Sequence, residues 1–334
     1  MADRPRIFFV HINPDRVSFV QKDLDILSRH FELRELVYRS RRDVPRIAGG
    51  TMWADVVFSW FAWDQAAWAT RFARMIRRKS VVLVGGFDVV KMPDISYGNL
   101  LRPRPAARTK YAISRAHRVV ALSDSLRSDA EKLTGRTDIK VIYPGFDSEA
   151  FRPLGEKKRV ALTVGGVNRS NMSRKGIETF IKSASLLPEI PFRLVGGIDF
   201  GLQNELERIC PSNLTLVGRV DQQTLLREMQ NSSVYVQVSA HEGFGCSLAE
   251  AMLCCNVPVV TKAGAVQEVV GDTGIYVPFR DPQATAAAIE TAFGLENGGA
   301  ARRRIIDLFP LEKRERELVA VFHEILEKGG SSGF

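Results

Sequence analysis

Cysteine is scarce: the 334 residues hold four, Cys210, Cys246, Cys254 and Cys255, with no C-x-x-C pair and no histidine nearby at metal-ligand spacing. This excludes a disulfide scaffold or a zinc module and predicts reduced thiols. Long hydrophobic runs are missing as well. Nowhere do about 18 consecutive apolar residues occur, and the opening MADRPRIFFVHINPD offers only a short apolar run. Neither a cleaved signal peptide nor a spanning helix is expected. Zinc-finger spacing and the aromatic motif of RNA-recognition domains are also absent, which counts against nucleic acid as a partner.

What is present is an ordinary globular balance, 45% hydrophobic and 25% charged. The length suits about two domains. Charge is unevenly placed: residues 1–145 carry 26 basic and 15 acidic side chains, whereas residues 146–334 carry 21 and 23. The whole excess of +9 therefore sits in the first half. A one-sided field of this kind points to a polyanionic partner, either an anionic membrane surface or nucleic acid.

Short β-branched runs alternate with longer amphipathic stretches, the pattern of βα units that feed a parallel sheet. In the first half strands are expected at Arg6–His11, Glu32–Tyr38, Val56–Trp60, Val81–Val84, Arg118–Leu122 and Lys140–Tyr143. Helices are expected at Val17–Arg29, from its apolar spacing, and at Ser123–Leu133, behind a Ser or Asp cap. The stretch Tyr143–Lys158 holds two prolines, two glycines and a charge run, and it marks the domain boundary. Six more strands follow, near Val160–Val164, Phe192–Val195, Leu214–Val217, Val234–Val238, Val257–Thr261 and Gly274–Val277. Two such sheets would bind ligands at the carboxyl ends of their strands.

The sharpest motif is Glu242-Gly-Phe-Gly-Cys-Ser-Leu-Ala-Glu250, which follows a strand and opens a helix. Gly243 and Gly245 let backbone approach a ligand, and free N–H groups from Gly245 to Leu248 would face an anion such as a diphosphate. Glu250 suits a vicinal diol such as a ribose, and Glu242 the hydroxyls of a second sugar. The same spacing also fits a solvated helix entry with a chance pair of acids. The second motif is Val164-Gly165-Gly166-Val167-Asn168-Arg169, followed by Arg174-Lys175-Gly176. Arg169 and Lys175 suit the two phosphates of a leaving nucleotide. A polar βα loop with incidental cations is the plainer alternative.

Together these features resemble the family 4 (group 1) retaining glycosyltransferases. Further pieces of the resemblance are Tyr143-Pro-Gly-Phe-Asp147, Phe151-Arg-Pro153, Gly218-Arg219-Val220 and Asn256-Val-Pro-Val-Val260. The resemblance implies an α/β chain of GT-B fold, two facing Rossmann-like parallel-sheet domains with a cleft between them. It implies a nucleotide-sugar donor held by the second domain, with Arg169 and Lys175 on the diphosphate, Glu250 on the ribose and Val220 near the base. Glu242, with the Phe244, Gly245 and Cys246 backbone, would lie on the donor sugar, and Gly166, Ser247 and Leu248 complete the expected donor contacts. The implied division is 1–145 for the acceptor domain, 146–311 for the donor domain, 312–328 for a terminal helix that crosses back, and 329–334 for a flexible tail.

The first half matches less closely. Its first loop, His11-Ile-Asn-Pro-Asp-Arg-Val-Ser18, lacks the glycines that are common in that family. Many members carry a histidine where this chain has Val84-Gly85-Gly86-Phe87-Asp88, so Asp88 is the candidate for contact with the reacting sugar or acceptor. An ordinary strand-end turn fits Asp88 as well. His11 and Trp63 are candidate acceptor contacts, with a structural strand histidine as the alternative for His11. All four tryptophans, Trp53, Trp60, Trp63 and Trp68, fall in one segment, where Trp63 and Trp68 suit an acceptor groove or a lipid interface. The next stretch places Arg71, Arg74 and Arg78 on nearly one helical face, a stripe suited to acidic headgroups or simply to solvent.

The expected activity is transfer of a sugar from a nucleotide-sugar donor, with retention, to a glycan or lipid-linked acceptor at a membrane surface. The expected setting is the cytoplasm, peripheral at the inner face of the membrane. No metal or other cofactor is expected, since no D-x-D carboxylate pair is placed to hold one at the diphosphate. Rival readings are another GT-B enzyme, an epimerase or a phosphorylase, and a non-catalytic protein that binds sugar nucleotides or nucleic acid.

Overall fold

The computed structural model describes residues 4–12, 18–295 and 297–327, with Ser18 described for its backbone. The expected tail 329–334 and most of the loop after His11 lie outside the described residues. The chain divides into two compact units, one running to Gly145 and resuming at Leu311, the other spanning Phe146–Pro310.

The first unit holds β1 (Arg6–His11), β2 (Glu32–Val37), β3 (Val56–Trp60), β4 (Lys79–Val84), β5 (Arg118–Ala121) and β6 (Ile139–Val141). They pair in the order β2-β1-β3-β4-β5-β6, all parallel. Every residue of β3 is buried, as expected of a parallel strand covered by helices on both faces. The helix Ser18–His30 follows β1, and Asp124–Thr134 follows β5 with the Ser123 hydroxyl accepting from the Leu126 N–H at 3.2 Å. Gly135, at φ 72°, ends that helix in the left-handed conformation that glycine adopts without strain.

The last helix, Leu311–Glu327, belongs to this first unit. Phe322 is fully buried in its core, with ring centroids 5.6 Å from Phe31 and 5.4 Å from Phe58. A side chain buried so completely contributes roughly 2 kcal/mol. About two turns further back, the Arg314 guanidinium meets both oxygens of Asp23, at 2.7 and 2.6 Å, and bonds the carbonyls of Ile142 and Tyr143. Asp23 also accepts the indole N–H of Trp60 at 2.8 Å. The helix is therefore tied to the sheet by a buried ion pair as well as by apolar packing.

The second unit holds β7 (Lys158–Val164), β8 (Phe192–Val195), β9 (Leu214–Gly218), β10 (Ser232–Gln237), β11 (Val257–Thr261) and β12 (Ile275–Val277). Their order is β12-β11-β10-β7-β8-β9, again parallel throughout. In each sheet the strand order reverses at one place, between β1 and β3 and between β7 and β10. Crevices of this kind, outside the carboxyl ends of strands at an order reversal, are where open α/β sheets bind ligands. No helix among the described residues is long and apolar enough to cross a membrane.

Candidate functional site

At the reversal in the second unit, β7 ends in Gly165–Gly166 and β10 leads through Ser239 and His241 to Glu242. Glu242 is the centre of the site. Its Oε1 accepts the Ser239 hydroxyl at 2.8 Å and lies 3.7 Å from both Lys175 Nζ and Arg174 Nη1. All three charged side chains are largely withdrawn from water, 13% exposed for Glu242, 11% for Arg174 and 23% for Lys175. Burial by itself would raise the Glu242 carboxyl. The Lys175 and Arg174 cations and the Ser239 hydroxyl outweigh it and hold the group below the usual carboxylate range, so Glu242 is an anion at neutral pH.

Close backbone packing explains the glycines. A Cβ on Gly165 would lie 2.7 Å from Lys175 Cδ, so the lysine stem crosses that residue on its way to Glu242. Gly176 has φ 67°, and a Cβ there would fall 2.1 Å from the Val238 carbonyl oxygen. This contact binds the helix Ile177–Leu186 to the end of β10. From the other side, the Ala265 N–H donates to the Glu242 carbonyl at 3.0 Å.

Phe244 does not offer its ring to a ligand. It is 3% exposed and packs on Phe146 and Phe309, at 5.8 and 5.1 Å between centroids. That anchor fixes the turn and presents its backbone instead. The helix Cys246–Leu253 starts from Gly245, at φ 99°, and no side chain caps its first turn. The early N–H groups of a helix start point toward any anion placed before it. Cys246 and Ser247 are half-buried at this start, Leu248 is core, and Glu250 is 5% exposed on the inward side of the helix. Burial, together with the nearby Glu242 and Glu250 carboxylates, pushes the Tyr235 hydroxyl far above its usual range, so it stays protonated beneath the site.

The structure brings Lys175, Gly165, Glu242, Phe244, Gly245 and the helix start together. Arg169 stands apart from that group. It opens the short helix Arg169–Arg174, is 77% exposed and pairs with Glu205 at 3.1 Å. The cation that joins Lys175 at Glu242 is Arg174, which sequence reasoning left without a role. Its adjacency to Lys175 was the available signal. Gly166 is exposed, with nothing nearer than the Gly197 carbonyl oxygen at 3.8 Å from a Cβ placed there. Val220 is half-buried just past the end of β9.

Two candidates in the first unit are held by the fold itself. Asp88 is completely buried, and its carboxylate accepts N–H groups of Ala62 at 2.9 Å, Gly85 at 3.1 Å and Gly86 at 2.7 Å. Burial pushes that carboxyl up against the opposing pull of those donors. It organises a loop and has no surface left for a sugar. His11 is likewise fully buried, with Nε2 2.8 Å from Glu35 Oε1 and its ring edge-on to Phe9. The basic stripe is also shorter than expected. Its helix ends at Met75, Arg77 turns the chain at φ 57°, and Arg78 folds back to pair with Asp55 at 3.3 Å. Trp63 is half-buried at the start of that helix, beside Phe87. Among the described residues no group of three or more His, Cys, Asp or Glu is arranged to hold a metal ion.

Residues 158–294 match the family model described as glycosyl transferases group 1. The chain is 25% identical over 291 residues to the lipopolysaccharide core biosynthesis mannosyltransferase of Rhizobium leguminosarum bv. viciae, covering 79% of this chain and 81% of that one. It is 23% identical over 350 aligned positions to the N-acetyl-alpha-D-glucosaminyl L-malate synthase of Bacillus anthracis, covering 96% and 85%. Among solved structures, Anabaena HepE in complex with UDP and glucose superposes with a TM-score of 0.80 at 17% identity, over 96% of this chain and 100% of that one. The likeness to HepE identifies the paired Rossmann-like units as the GT-B fold, and the family match supplies the class of the second. The chain thus has the GT-B fold, and its second unit is similar to the group 1 glycosyltransferases.

Proposed function

We propose that this chain is a family 4 enzyme that transfers a sugar, with retention of anomeric configuration, from a nucleoside-diphosphate sugar held in the second unit. The observation that carries the reading is the ionised Glu242 flanked at 3.7 Å by Arg174 and Lys175, beside an uncapped helix start at the strand-order reversal. Two cations and a helix N-terminus at one spot suit a diphosphate whose negative charge grows as the sugar departs. Glu242 suits the sugar hydroxyls, Glu250 the ribose diol and Val220 the base. Arg169 is exposed and held only by an exposed carboxylate, a pairing of about 0–1 kcal/mol that a diphosphate can displace. UDP in HepE supports the nucleotide class.

The acceptor in this reading is a glycan or lipid-linked molecule, met at an anionic membrane surface in the cytoplasm. Support comes from the exposed Arg71, Arg74 and Arg77 beside Met75 and Ile76, which are 68% and 43% exposed, a cationic surface with apolar tips. The direct test is a thermal-shift and donor-hydrolysis screen against UDP-, GDP-, ADP- and dTDP-sugars, repeated with Glu250→Ala. One nucleotide class should stabilise the wild type and be slowly hydrolysed, and the variant should lose both effects. No shift with any of the four overturns the donor site.

A further inference from the structure

The first unit contains a cavity of about 450 Å³, within the roughly 300–1,000 Å³ span of small-molecule sites. It sits just beyond the carboxyl ends of β3 and β4. Trp63 and Phe87 form one side, Gly98 and Asn99 another, and Arg102 and Pro105 a third. No carboxylate lines it. Arg102 is exposed and makes no ion pair with a described residue, and the Trp63 indole N–H is buried without a hydrogen-bond partner. A buried donor left unpaired costs about 1–3 kcal/mol unless something supplies an acceptor.

The walls are built to hold their positions. Asp88 receives the N–H of Ala62, next to Trp63, and those of Gly85 and Gly86, next to Phe87, so one buried carboxylate joins the two aromatic walls. Thr109 donates to the Ala62 carbonyl at 2.6 Å and accepts from the Asn99 amide at 2.8 Å, which ties in the third loop. Gly98 lies at φ 114°, where a Cβ would fall 2.0 Å from the Val90 carbonyl oxygen, so the loop closes only around glycine. Asp88 therefore has a purpose that its burial at first hides: it is a positioning residue for this cavity.

The Trp63 and Phe87 rings lie 5.1 Å apart at 53°, a splayed cradle and not the parallel slot into which a flat base would slide. A puckered ring with C–H groups on its faces and hydroxyls on its rim fits such a cradle, with the indole N–H to donate to a rim oxygen. The single unpaired guanidinium adds a requirement for negative charge, which a carboxylate or phosphate satisfies with two parallel hydrogen bonds.

We propose that this cavity is an acceptor subsite for an acidic sugar, its ring against Trp63 and Phe87 and its carboxylate or phosphate on Arg102. The proposal rests on the transferase reading for the word acceptor, but its binding chemistry stands separately. The test is saturation-transfer NMR on the full chain without donor, using glucuronate, glucose 6-phosphate and glucose as probes. At least one acidic sugar should bind about 10-fold or more tighter than glucose. Comparing the two shows whether carboxylate or phosphate is preferred. Arg102→Gln should abolish the preference, and Trp63→Leu should weaken acidic and neutral sugars alike. Equal binding of all three sugars by the wild type, or an acid preference that survives Arg102→Gln, overturns the proposal. Nucleotide-sugar thermal shifts on the same samples keep the two readings apart. Their absence alongside acid-selective binding defeats the transferase reading and leaves the subsite standing.

Discussion

Replacing Lys175 with Met tests the centre of the site while keeping most of the lysine stem that crosses Gly165. In the wild type the buried Glu242 carboxylate faces two cations at 3.7 Å each. Breaking an isolated buried ion pair costs about 3–5 kcal/mol. Arg174 remains in the variant, so the expected loss at pH 7 is smaller, about 2 kcal/mol, or roughly 4–8 °C in the melting of a unit of this size. The pH dependence is the more searching measurement. Lys175 helps to hold the Glu242 carboxyl below its unfolded range, and a depressed carboxyl stabilises the fold above its unfolded pKa and ceases to do so as pH falls through the lowered folded value. Without Lys175 the folded value rises and that contribution shrinks. The gap in stability between wild type and Lys175→Met should therefore be widest near neutrality and close on acidification. Urea unfolding at a series of pH values, followed by circular dichroism, reads it directly. A gap that stays constant from neutral pH down to the acid side would refute the reasoning and leave Lys175 with a packing role alone.

Two further perturbations test the first unit. Asp23→Ala would leave the Arg314 guanidinium buried without its anion, and the Trp60 indole unpaired. The expected loss is about 3–5 kcal/mol, or roughly 6–20 °C in that unit's melting. A loss under about 1 kcal/mol would show that the helix Leu311–Glu327 is held by its apolar face alone. Neutralising Arg71 and Arg74 should weaken sedimentation with vesicles rich in anionic lipid, and the wild-type association should itself fall as salt rises. Neutralising Arg78 instead should leave that association unchanged, since Arg78 is occupied with Asp55. Salt-insensitive binding, or none, would remove the membrane surface from the functional reading.

The sheets were legible because parallel strands read as continuous apolar runs. The expected bounds of β1, β3, β8 and β11 coincide with the structure, and the other strands differ by a residue or two at their ends. Helix ends were harder. Nothing in Arg71–Lys79 announces that Arg77 adopts a left-handed φ, and that single residue moved Arg78 from a surface stripe to an ion pair with Asp55. In the second unit Glu242, Lys175 and the glycines were recognisable because their spacing reflects close backbone approach. Arg174 was hidden because a short helix with Arg at both ends gives no sign of which one points inward. The surroundings of His11 and Asp88 were hidden for one shared reason. A polar residue at a strand end reads the same whether it faces a ligand or bonds its own loop: His11 meets Glu35 of β2, and Asp88 meets Ala62 in the loop after β3 and its near neighbours Gly85 and Gly86.

The two units use their titratable groups in opposite ways, and that difference follows from where each group finds its partners. In the second unit the carboxylate at the strand-order reversal is answered by two cationic side chains, a lysine and an arginine, whose charges a ligand can share. In the first unit the corresponding groups are answered from within the fold. His11 is paired with Glu35, and Asp88 is bound by three amides, so both are occupied by contacts within the fold. What the first unit leaves open is the aromatic pair Trp63 and Phe87 and the unpaired Arg102, groups that hold a molecule but do not transfer protons at neutral pH. In the proposed reading, bond-making chemistry falls to the second unit and recognition to the first. Removing Asp88 would accordingly damage sugar binding through the position of Trp63 and Phe87, while a donor shift generated in the second unit should persist.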